Sequence, residues 1–220
     1  MEVSIEHNIK QVTRGLSDFQ RKQVPFATSL ALNKVAYQAN MAIKKQARYQ
    51  LHNPTNWTLA GFMYDKSTKK NLHVVLYAAG AEGGKKGRLA NRNKYLIYQV
   101  EGGTRLPDGR AIIVPTKHTK LNKHGNIPRA TLKKFVENKT KYFSGKPRGR
   151  SNETNAGIYE RMGRGGRKTI KKVASFVPYA RYTDKRLDYY GVIQKVVDRR
   201  FEAILRDSIQ RAINYKEIFG

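Results

Sequence analysis

Between Pro25 and Gln50, small and apolar residues recur at Ala27, Leu30, Ala31, Val35, Ala39, Ala42, Ile43 and Ala47, stepping mainly by three and four. That spacing puts them on one side of a helix, with Lys34, Lys44, Lys45 and Arg48 largely elsewhere on its circumference. Pro25 suits a first helical position, where its missing N–H leaves no bond unmade. Asn53-Pro54 sets the far limit, because the residue before a proline is pushed out of the α region. At 1.5 Å per residue the rod would be roughly 39 Å long. Its alanines let another element approach closely, so this helix is expected to be the spine of the fold.

Residues 2–23 read as a short strand or turn followed by a helix, with Ile9, Val12, Leu16 and Phe19 at helical spacing. After Asn53-Pro54 the period changes. Two apolar runs, Leu59 to Tyr64 and Leu72 to Ala78, flank a polar turn from Asp65 to Asn71. Val74, Val75, Leu76 and Tyr77 favour extended backbone, which predicts a β-hairpin. Tyr95 to Val100 reads as a short helix ended by Gly102-Gly103. Residues 111–116 read as a strand that Pro115 closes or leaves at a sheet edge. Ile127-Pro128 opens a further helix, with Ala130, Leu132, Phe135 and Val136 as its apolar side. Gly157–Met162 and Lys171–Tyr179 are strand segments flanking GRGGRKT.

Leu187 to Tyr215 forms a long amphipathic stretch, its stripe running through Ile193, Val197, Phe201, Ile204, Leu205, Ile209, Ala212 and Ile213. Long helices at both ends with strands between them predict the α+β class, a small and mostly antiparallel sheet packed with the terminal helices. Residues 1–220 read as a single domain from which three basic loops extend, at 80–94, 117–126 and 139–155.

Charge changes this picture more than hydropathy does. Lys and Arg total 44 against 16 Asp and Glu, a formal charge of +28, while only 39% of residues are hydrophobic. A compact molecule with that surplus repels itself and is suited to a polyanion or an acidic protein surface. No cysteine is present, which removes disulfides, thiolate metal sites and cysteine nucleophiles together. No apolar run approaches the ~20 residues that span a bilayer. The first residues lack a basic-then-apolar signal pattern, so the chain is expected to stay where it is made, without a membrane partner.

Catalytic and metal chemistry have little to work with. Of five histidines, His7, His52, His73, His118 and His124, none stands at ligand spacing from an acid or another histidine, so no metal or cofactor is expected. Gly80 to Lys86 and the Gly163–Thr169 segment both miss the phosphate-loop pattern, and the carboxylates are scattered. The reading is therefore non-enzymatic. The basic segments carry the stronger signal. Lys85, Lys86, Arg88, Arg92 and Lys94 form one cluster, and Lys117, Lys120 and Lys123 a second. Lys139, Lys141, Lys146, Arg148 and Arg150 form a third, and Arg161, Arg164, Arg167, Lys168, Lys171 and Lys172 a fourth. Lysines and arginines on glycine-containing loops contact phosphates without reading bases, and they dock equally well on acidic protein. Tyr142, Phe143 and Tyr159 lie nearby and read first as packing residues, second as base-stacking ones.

VPFATSLALNKVAYQAN, with Pro25, Ala27, Ala31, Leu32, Asn33 and Ala36, resembles the opening helix of the phage minor tail protein Z family of tail-completion proteins. NPTNWT, YLIYQVEGGTR and the stretch from Gly157 to Leu205 resemble later parts of such proteins. Gly157, Ile158 and Arg161 fit a "G-I-x-x-R" strand, whereas Ala180-Arg181-Tyr182 departs from the "Y-x-P-R-L-D-F" pattern before the last helix. The resemblance implies a structural virion protein of the head-to-tail junction, assembled in the host cytoplasm. It further implies a homo-oligomeric ring, hexameric or matched to the portal, touching portal, adaptor and tail proteins and contacting genomic DNA through phosphates. The alternative is a sequence-independent nucleic-acid-binding protein, such as a ribosome-associated or DNA-packaging factor.

Overall fold

The computed structural model describes residues 2–6, 18–78, 94–147, 156–163 and 169–219. Two long helices and small antiparallel sheets make an α+β protein, as the hydrophobic pattern predicts. The chain forms two compact units, Met1–Glu101 with Asp184–Gly220 and Gly102–Thr183, where the pattern predicts one domain. The expected helix around Ile9 to Leu16 lies outside the described residues.

The first unit holds β1 (Glu2–Glu6), α1 (Asp18–Gln50), α2 (Asn56–Leu59), β2 (Phe62–Asp65), β3 (His73–Ala78), α3 (Ile97–Glu101) and α5 (Tyr189–Phe219). The hairpin β2–β3 forms as expected, and β1 pairs with the other edge of β3, giving an antiparallel sheet in the order β1-β3-β2. α1 begins at Asp18, ahead of the start that its proline suggests, so Pro25 lies inside the helix. Thr28 Oγ1 donates to the Val24 carbonyl at 2.8 Å in that turn. The far end stops before Asn53-Pro54, and Asn53 adopts a positive φ of 44°.

Ala31, Leu32, Val35, Ala36, Ala39, Ile43 and Ala47 are buried in one core with Val74, Leu76, Leu187 and Ile193. Leu30, expected in that stripe, is half exposed instead. At about 100° per residue it lies nearly opposite Leu32, and the helix can bury only one of them. On α5, Ile193 and Ile204 are buried and Val197, Phe201 and Leu205 pack against the core, while Ile213 at the end of the expected stripe is exposed. Asp188 caps α5, its Oδ1 accepting from the Gly191 N–H at 2.9 Å. A polar clasp ties α1 to the hairpin turn. Asn33 Nδ2 donates to the Ser67 carbonyl at 3.1 Å, Asn33 Oδ1 accepts from the Ser67 N–H at 2.9 Å, and the Ser29 and Ser67 hydroxyls are 2.9 Å apart.

The second unit holds β4 (Gly103–Arg105), β5 (Ile112–Pro115), α4 (Arg129–Glu137), β6 (Tyr142–Gly145), β7 (Gly157–Met162), β8 (Thr169–Val177) and β9 (Ala180–Tyr182). Four strands form an antiparallel sheet in the order β5-β8-β7-β6, so Pro115 does sit on an edge strand. β6 occupies part of the segment expected to be loop from 139 to 155. The strand expected at Lys171–Tyr179 forms as β8 but starts at Thr169 and ends at Val177, and a further short strand, Ala180–Tyr182, follows it and pairs with β4. α4 covers one face of the large sheet, packing Phe135 and Leu132 against Ile158, Val173, Ala174 and Phe176. Val136, expected on that side, is 71% exposed, and Ala130 is exposed as well.

Candidate nucleic-acid interface

The basic loop after β5 is built from its polar residues. Thr116 donates its N–H to the Val173 carbonyl at 3.1 Å and its hydroxyl to the Lys172 carbonyl at 2.7 Å. The Thr119 hydroxyl, itself buried, also donates to the Val173 carbonyl. At the tip, Asn122 Oδ1 accepts from the N–H groups of His124 (2.9 Å) and Asn126 (3.0 Å), and Gly125 supplies a φ of 75°. A short polar side chain closing its own turn in this way holds the loop in one conformation. Lys117, Lys120 and Lys123 are all exposed on it. Ammonium groups on flexible stems above an anchored backbone suit contacts to phosphate, which needs charge rather than fixed hydrogen-bond geometry.

Cations elsewhere in this unit divide by what they touch. Lys146 is exposed just after β6, beyond Gly145 with its φ of 131°. Lys141 sits 3.0 Å from Glu160, and this bond and the charge of Glu160 push its pKa up. Arg161 Nη1 donates to the carbonyls of Lys139, Thr140 and Tyr142 at 2.7, 3.1 and 3.0 Å, and its guanidinium lies over the Phe143 ring at 4.8 Å. Those contacts make Arg161 a brace for the turn into β6.

Lys172 is half-buried with its ammonium 5.7 Å from the centre of the Tyr159 ring, and Tyr159 stacks on Phe143 at 5.3 Å. Register places Phe143, Tyr159 and Lys172 side by side across β6, β7 and β8. Tyr159 has no exposed surface and Tyr142 packs edge-on against Phe135, so these two rings serve packing rather than base stacking. Lys171 stands opposite Glu160 in the β7–β8 register and is half-buried. Among the described residues of these clusters, Lys117, Lys120, Lys123, Lys139, Lys141, Lys146 and Arg161 are exposed, Lys141 and Arg161 being engaged with Glu160 and with backbone carbonyls, whereas Lys171 and Lys172 are half-buried. The row of ring and cation contacts across the sheet is not legible in the sequence, because it depends on strand register.

Lys85, Lys86, Arg88, Arg92, Arg148, Arg150, Arg164, Arg167 and Lys168 lie outside the described residues, and Lys94 opens the short 3₁₀ turn before α3. Among the described residues no group of three His, Asp or Glu is placed to hold a metal ion, and no helix is long and apolar enough to cross a membrane. No family model, curated protein or solved structure matches the chain.

Proposed function

We propose that this chain is a structural protein of a tailed-phage head-to-tail junction, a tail-completion or neck component that assembles as a ring beside the DNA channel. The observation that carries the DNA contact is the anchored loop holding Lys117, Lys120 and Lys123 exposed on a molecule of formal charge +28. DNA in a channel needs many weak contacts indifferent to sequence, and lysine–phosphate contacts supply them. The virion assignment rests on the resemblance of the Pro25–Ala36 run and the later motifs.

The mass of the purified protein at low and high salt, with and without duplex DNA, tests this reading. A discrete ring-sized oligomer without DNA is the expected outcome. A monomer that binds duplex DNA with steeply salt-dependent affinity favours the second reading, a sequence-independent nucleic-acid-binding protein, which the same loop would serve. Either way, replacing Lys117, Lys120 and Lys123 together with Ala should leave thermal stability unchanged. It should also lower the log–log salt slope of DNA binding by roughly 2 to 3, about 0.9 for each phosphate that is no longer neutralised. An unchanged slope excludes the loop from the interface.

A further inference from the structure

The outer side of α1 carries a row of large apolar side chains that the core leaves uncovered. Phe26, Leu30 and Met41 are 49% exposed and Tyr37 is 53% exposed, and Lys34 completes the row at the same spacing. Steps of three and four along a helix keep these positions on one side. α5 runs antiparallel beside them, so that Asp207 lies 3.9 Å from Lys34. Two grooves open between the helices. One, of about 610 Å³, runs from Gln23 to Lys34 on α1 against Asp207 to Ala212 on α5; the other, of about 460 Å³, runs from Tyr37 to Ala42 against Val192 to Arg200. They follow one another along α1. From Phe26 to Met41 the row is roughly 23 Å long, about four helical turns.

The rims specify the occupant. Lys195, Arg199 and Arg200 border the second groove with no acid among its lining residues. In the first, Asp207 is matched by Lys34 and by Arg211, 3.0 Å away. A second copy brought face to face would set these cations against their equivalents, which disfavours self-pairing. Nucleic acid has no use for an apolar floor of this length. An amphipathic helix with apolar residues at i, i+4, i+7 and i+11 and acids on its flanks matches both floor and rim.

We infer that the two successive grooves between α1 and α5 together dock one acidic amphipathic helix, about four turns long, belonging to another protein. This site is independent of the phosphate contacts of the lysine loop.

The probe is a synthetic helical peptide of about 18 residues with leucines at that spacing and glutamates beside them. Two controls accompany it: a scramble of the same composition, and a version with lysine in place of glutamate. At about 0.15 M salt, where long-range attraction to the basic chain is screened, the patterned acidic peptide should bind at least about tenfold more tightly than either control. Leu30→Ser with Met41→Ser, neutral changes at exposed positions, should weaken it about tenfold with melting unchanged. Lys195→Glu with Arg199→Glu and Arg200→Glu should transfer the preference to the lysine peptide. Equal binding of the scramble reduces the effect to net charge and overturns the groove assignment, as does no binding at all. A dimer in solution that Leu30→Ser with Met41→Ser dissociates makes a second copy the occupant, and this too overturns it.

Discussion

Loss of the Asn33 amide would strip Ser67 of a donor to its carbonyl and an acceptor for its N–H in one substitution. Ser67 is buried, so water does not readily replace either bond, and an unsatisfied buried polar group costs about 1–3 kcal/mol. Asn33→Ala should therefore lower the unfolding free energy by about that amount in urea titrations. A decrease under about 0.5 kcal/mol, the level of ordinary surface changes, would show that the clasp contributes nothing. Within the run that carries the family resemblance, Ala27, Ala31, Leu32 and Ala36 are fully buried and Asn33 forms the clasp, so the motif marks a packing arrangement and not a chemistry. Tyr77 offers a pH test. Burial, then the charge of Asp65 and the hydrogen bond to it at 3.2 Å, push its pKa up; Tyr190 is raised likewise by burial and by Glu101. The folded state then holds these protons more tightly than the unfolded one. That stabilisation is complete below the ordinary phenol value of about 10 and is lost as pH rises through the higher folded value. Tyr77→Phe with Tyr190→Phe should flatten the alkaline fall in urea midpoint relative to the parent. An identical fall would remove both phenols as its cause.

At the scale of elements, the strongly periodic segments are legible in the sequence and the short ones are not. α1, α5 and the β2–β3 hairpin follow from spacing and β-propensity, because burial imposes the period on their sequence. β4 and β9, three residues each, are too short to show a period, and β6 is four residues inside a basic stretch. Their partners define them, and partners are remote in sequence. α4 stands where the sequence predicts it, but only Phe135 is buried on it, since its single covered side faces the sheet and Val136 turns away. Phe135→Ala should accordingly destabilise the second unit by roughly 3–5 kcal/mol. Hydrogen exchange would then show faster amides in β7 and β8 first, because Phe135 shares its core cluster with Ile158, Val173 and Ala174 and not with α1. Equal loss of protection in α1 would mean that the two clusters unfold together. Asp188→Ala removes the acceptor for the Gly191 N–H and should cost about 1 kcal/mol at the start of α5.

For the whole molecule, charge is legible and its allocation is not. The surplus of lysine and arginine and the loop at 117–126 can be read directly, yet nothing in the sequence separates Arg161, bound to three carbonyls, from the exposed Lys120. The apolar row on α1 is likewise hidden, since the same three-and-four spacing serves the buried side and the exposed one. A formal charge of +28 has its own consequence for stability. Like charges repel more strongly in the compact chain than in the expanded one, and salt shortens the range of that repulsion from about 10 Å at 0.1 M to about 3 Å at 1 M. Opposing this are attractions that salt also weakens: Lys133–Glu137, Arg206–Glu202 and Arg211–Asp207 are exposed pairs one helical turn apart. Such pairs contribute only about 0.3–0.5 kcal/mol each, so the net repulsion should dominate. The melting temperature should rise by a few degrees between about 0.05 and 0.5 M sodium chloride, where about 1 kcal/mol corresponds to roughly 2–4 °C in a chain of this size. A fall over that range would mean that paired charges outweigh the surplus in the folded state, and that the surplus is spread too thinly to repel.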